Sequence, residues 1–99
     1  MLHIINKSPL DRNSLDTVLT TAVGDGAILL IEDGVYAATK GNAYEPKLKA
    51  AMAKFKVYAL QADLEARGIA DRVTDGVTTV DYAGFVDLVA NNKTNQSWL

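Results

Sequence analysis

The chain has 99 residues, 48% of them hydrophobic, with ten Lys and Arg against twelve Asp and Glu and a formal net charge of -2. That balance gives no general attraction for a phosphate backbone, and no apolar run approaches the roughly 18 residues of a membrane span. The chain has no cysteine, which excludes disulfides, thiolate metal sites and thiol nucleophiles within it.

The opening Met1–Lys7 lacks the basic, apolar and small-residue succession of a secretory signal, so a cytoplasmic setting is expected. Leu2-His3-Ile4-Ile5 reads as a first strand, closed by Pro9, which has no amide to donate to a ladder. Asp11 to Ser14 offers capping side chains. Leu15, Val18, Leu19 and Ala22 then follow the spacing of a half-buried helix, ended by Gly24-Asp25-Gly26. Ala27–Ile31 is an unbroken apolar run suited to a central strand covered on both faces. Glu32-Asp33-Gly34 breaks it, Val35–Ala38 suits a brief helical turn, and Lys40-Gly41-Asn42 is a turn.

Pro46 fits the first turn of a helix over Glu45–Lys54, with Leu48, Ala51 and Met52 inward. Phe55–Leu60 supplies a third strand. Asp63–Gly68 reads as a short helix capped by Asp63 and stopped by glycine. A fourth strand centres on Val77–Val80 within Val73–Val80, next to the Asp75-Gly76 turn. Asp81 caps a final helix with Phe85, Val86, Leu88 and Val89. A polar tail ends in Trp98-Leu99. Strands and helices alternate without a long linker. The expectation is a single α/β domain over residues 1–99, Rossmann-like and three-layered, with a mostly parallel sheet.

Function in such a fold sits beyond the carboxyl ends of the strands. Here those ends are Asn6-Lys7-Ser8, Glu32 to Tyr36, Gln61-Ala62-Asp63 and Asp81-Tyr82. Oxygen ligands from Glu32, Asp33 and Asp81 would suit a divalent cation, and a carboxylate pair would suit acid and base work. Helix capping by Asp63 and Asp81 and a turn at Asp33-Gly34 account for the same residues, so no metal, cofactor or catalytic group is assigned. The rim residues Ser8, Glu32, Asp33, Tyr36, Asp63, Asp81 and Tyr82 are instead candidates for contact with a partner.

His3, the only histidine, lies inside the first strand, where packing or a subunit contact accounts for it. Gly24-Asp25-Gly26 precedes a strand rather than following one, the reverse of a phosphate-binding loop. Lys47, Lys49, Lys54 and Lys56 read as a solvated helix face, not a nucleic-acid footprint. Trp98, the only tryptophan, either folds back on its own domain or docks into a partner.

Several stretches in order resemble the TusB/DsrH family of sulfur-relay proteins. They are Met1-Leu2-His3 with Asn6-Lys7-Ser8-Pro9, Leu29 to Ala38, Lys56–Leu60, Asp63–Gly68, Asp81–Leu88 and the tail ending in Trp98. The resemblance implies a DsrE/DsrF/DsrH-like fold and a place in a dimer of heterotrimers beside TusC/TusD-like or DsrF/DsrE-like sister subunits. In the Tus branch a TusA-like carrier delivers persulfide sulfur to a cysteine of the TusD subunit. TusE then passes it toward 2-thiolation of the wobble uridine of tRNA. The Dsr branch serves sulfur oxidation. DsrH-type members carry a cysteine in the first helix, and Val18 matches that position here. This chain is therefore expected to be a non-catalytic subunit that binds neither nucleic acid nor membrane directly.

Overall fold

The computed structural model describes residues 1–8, 15, 17, 18, 26–92 and 94–98. The closure at Pro9, the capping side chains of 11–14, the helical positions Leu19 and Ala22, and Gly24-Asp25 of the helix-ending turn lie outside them. Leu15 and Val18 are helical and buried, as their spacing requires.

The described strands are β1 (Leu2–Ile5), β2 (Gly26–Leu30), β3 (Phe55–Leu60), β4 (Thr78–Val80) and β5 (Asn95–Trp98). They form one sheet in the order β4-β3-β2-β1-β5, and every pairing is parallel. The apolar run of β2 occupies the centre, where Ile28, Leu29 and Leu30 are fully buried between two layers. Parallel strands require a crossover between each pair, and crossovers in one direction place their helices on one face. Steps from β1 to β4 run one way. Leu15, Val18, Val35, Leu48, Leu64 and Ile69 from those connections share a core with Ile5, Ile28, Leu30, Val57 and Ala59.

The return from β4 to β5 runs the other way, so its helix, Tyr82–Asn91, lies on the opposite face. Phe85, Leu88 and Val89 pack there against Leu2, Ala27, Leu29, Tyr58 and Val80. Among the described residues a single helix covers this face, and it buries none of its residues completely. Val86 on the same helix is 61% exposed, because Phe85, Leu88 and Val89 fill the stripe facing the sheet.

Other boundaries also differ from the sequence expectation. The helix after β3 is Gln61–Ala66, starting directly off the strand, so Asp63 lies in its first turn and is not its cap. The helix bearing Pro46 ends at Ala51. The fourth strand is confined to Thr78–Val80, and Val73 forms an isolated antiparallel bridge with Thr39. The brief turn after β2 is a 3-10 helix over Glu32–Ala38, with Gly34, Val35, Ala37 and Ala38 buried. The polar tail is a strand: β5 adds beside β1, with Trp98 in register with Ile5. Among the described residues no helix is long and apolar enough to cross a membrane.

Candidate functional site

A fully parallel sheet brings all carboxyl ends to one rim. In spatial order the rim runs from Asp81 through Gln61–Asp63 and Glu32-Asp33 to Asn6–Ser8 and Trp98. At the usual spacing of about 4.8 Å between strands it is roughly 19 Å long.

Two of its corners are locked together. Glu32 takes a left-handed backbone conformation, φ 48°, which a residue with a side chain seldom adopts. Its amide donates to Asp63 Oδ2 at 2.7 Å, so a carboxylate after β3 holds the bend after β2. Arg67, one helical turn beyond Asp63, closes the unit. Its Nε and Nη2 both reach Asp33 Oδ1, at 3.0 and 2.9 Å, and its Nη1 lies 3.7 Å from Asp63 Oδ1. Arg67 was not singled out from sequence, although the Asp63 to Arg67 spacing of four carries the signal of a helical ion pair.

Gly34 sets the depth of the same bend. A Cβ there would sit 2.2 Å from the Ile5 carbonyl oxygen, and that oxygen accepts from the Ile31 amide at 3.0 Å. The 3-10 helix can therefore press onto the end of β1 only with glycine at this position. Asp81 caps the last helix as expected, accepting from the Gly84 amide at 2.8 Å.

Each of these three aspartates is thus engaged in holding backbone or in an ion pair. Among the described residues no group of three or more His, Asp or Glu is placed to hold a metal ion. Tyr36 and Tyr82 stand 39% and 65% exposed beside the carboxylates, whereas Ser8 is buried just beyond β1. His3 is away from the rim, buried within β1 with its ring edge-on to Phe55 at 6.2 Å between centroids. Burial first, and then the positive amino terminus, lower its pKa below the ordinary 6.5. The rim accordingly offers fixed backbone, exposed carboxylates and two tyrosine rings, an arrangement suited to contact with another polypeptide.

Residues 7–95 match the profile of the DsrH-like protein family. The chain is also 37% identical over 98 residues to Protein TusB of Escherichia coli O81 (strain ED1a), covering 99% of this chain and all of that protein. The chain belongs to the DsrH family. Its fold is shared with solved structures of much lower identity. The ychN protein of E. coli matches at a TM-score of 0.81 with 18% identity, over 98% of this chain and 97% of that one. A protein of unknown function from Methanobacterium thermoautotrophicum, MTH1491, matches at 0.75 with 14% identity, over 98% and 96%. The DsrH match spans both locked corners of the rim and Val18, which is fully buried in the core.

Proposed function

We propose that this chain is an accessory subunit of a sulfur-relay complex that passes persulfide sulfur toward 2-thiolation of the wobble uridine in tRNA. The carrying observation is a near full-length relationship to TusB in a chain with no cysteine. Persulfide exchange proceeds by attack of one sulfur on another, so the reacting thiol must belong to a sister subunit. Val18, at the position of the DsrH-type cysteine, is a packed core residue. The chain acts through assembly, as one cytoplasmic domain beside TusC/TusD-like subunits in a dimer of heterotrimers. TusA-like and TusE-like carriers reach it only through the complex.

The exposed rings of Tyr36 and Tyr82, together with Val86, supply apolar contact area for those sister chains. The carboxylates of Glu32, Asp33 and Asp81 border that area and favour one docking orientation over others. A sulfur-oxidation complex of the Dsr type is the second reading, favoured by the match to the DsrH profile over residues 7–95.

Co-expression with the two sister subunits, followed by size-exclusion chromatography and a sulfur-transfer assay with labelled persulfide, tests the proposal. A stable hetero-oligomer is expected, with transfer that needs the partner's cysteine. Sulfur transfer by this chain alone, or no association with either sister, would overturn it. Thiouridine content of tRNA in cells lacking the chain separates the two branches.

A further inference from the structure

The last strand in the sheet, β5, pairs with β1 on one side only, and Asn95, Gln96 and Ser97 are all exposed. The Thr94 carbonyl accepts from the Leu2 amide at 3.0 Å, so Thr94 and Gln96 turn their backbone groups toward β1. Alternation along the strand then turns the amides and carbonyls of Asn95 and Ser97 outward. Among the described residues one bond reaches those outward groups: Gln96 Nε2 donates to the Ser97 carbonyl at 3.3 Å.

Natural sheet edges are guarded by charge, proline, shortness or cover. The opposite edge follows that rule, because β4 has three residues and stands between Asp75 and Asp81. Thr94 to Trp98 contains neither a charged residue nor a proline. An identical strand laid against it therefore meets no like charge.

We propose that β5 pairs antiparallel with β5 of a second copy of this chain, around a two-fold axis beside Gln96. In that register Asn95 lies opposite Ser97 of the second copy, and each such pair exchanges both of its backbone bonds. Two pairs give four hydrogen bonds, which use every outward group of Asn95 and Ser97 in both strands. Gln96 then faces Gln96 of the second copy as a non-hydrogen-bonded pair, with Cα atoms about 4.5 Å apart. Each side-chain amide carries donors and an acceptor, so the two bond each other in place of the long contact to Ser97. This self-matching is what favours a like copy over an unrelated strand. The contact is separate from the sulfur-relay reading and does not rest on it.

Gln96→Cys tests the contact directly, because the chain has no other thiol. With oxidised glutathione a covalent dimer is expected, since a Cα separation of about 4.5 Å suits a disulfide. Thr79→Cys, exposed on the guarded edge, should cross-link about tenfold more slowly. Sedimentation equilibrium of the unaltered chain up to about 1 mM should show a reversible dimer, with a dissociation constant on the order of 100 μM because the area is small. Ser97→Pro and Asn95→Pro each delete an outward amide and spare the β1 ladder. Each should weaken the dimer about tenfold or more, with circular dichroism unchanged. A monomer throughout, equal cross-linking of the two cysteine variants, or a dimer indifferent to both prolines would each overturn the proposal. Cross-linking of Gln96→Cys in a cell extract chiefly to a different polypeptide would overturn it as well.

Discussion

The amide of Glu32, at φ 48°, is held by the carboxylate of Asp63 from 31 positions away, at 2.7 Å. A left-handed conformation at a residue with a side chain costs on the order of 1 kcal/mol, and a charge-assisted hydrogen bond offsets a cost of that size. The two residues therefore have opposite substitution signatures. Asp63→Ala removes the acceptor and one partner of Arg67, with an expected loss of about 1–3 kcal/mol. Glu32→Gly relieves the backbone and is expected to be neutral or stabilising by up to about 1 kcal/mol. Denaturant unfolding of both single variants and the double variant checks this. In the Glu32→Gly background the cost of Asp63→Ala should fall.

Gly34 gives a sharper expectation. The only atom added in Gly34→Ala would lie 2.2 Å from the Ile5 carbonyl oxygen, which belongs to backbone and cannot swing aside. The 3-10 helix would have to lift from the end of β1, breaking the seating of buried Val35, Ala37 and Ala38. The expected loss is about 3 kcal/mol or more, in the range reserved for overpacking in a core. Gly41→Ala is the control. That position has φ +83° but open space around it, so only the smaller conformational penalty of about 1 kcal/mol applies.

The difference between these two glycines also marks what sequence can convey. Local signals located the strands well, because unbroken apolar runs such as Ala27–Ile31 require cover on both faces. Asp81 was recognisable as a cap from its place before an apolar helical stripe, and its bond to Gly84 confirms it. The role of Gly34 depends on β1 lying beside β2, a tertiary pairing that the turn signal at Asp33-Gly34 does not contain. Asp63 misled for the same reason. Its position suited a cap, but its acceptor is used across the rim by Glu32. The strand at Asn95–Trp98 was hidden because an edge strand has no covered flank to impose alternation, and its polar residues read as a tail.

His3 makes stability depend on pH with a definite sign. Its folded pKa lies below 6.5, chiefly because burial disfavours the charged ring. Between that folded value and 6.5 the unfolded chain binds more protons than the native one, so stability rises with pH across this window. The contribution is complete above about pH 6.5, the unfolded value, and is lost as acidity increases below it. Denaturant midpoints measured between pH 5 and 8 should show this slope, and His3→Gln should flatten it. A slope unchanged in the variant would assign the dependence to carboxylates instead.

Val18→Cys tests whether a thiol placed in the core at this position could take part in sulfur chemistry. The side chain is fully buried among Leu15, Ile28 and their neighbours, and cysteine is slightly smaller than valine. The substitution is expected to cost less than about 1.5 kcal/mol. A thiol in apolar surroundings has a raised pKa and little thiolate, so it should resist a disulfide reagent in the native state and react at once in denaturant. The purified variant should then accept no persulfide sulfur from a carrier by itself. Rapid labelling of the native variant would instead mean that the helix holding Leu15 and Val18 opens readily to solvent. In that case burial alone would not shield a thiol at position 18 from reaction.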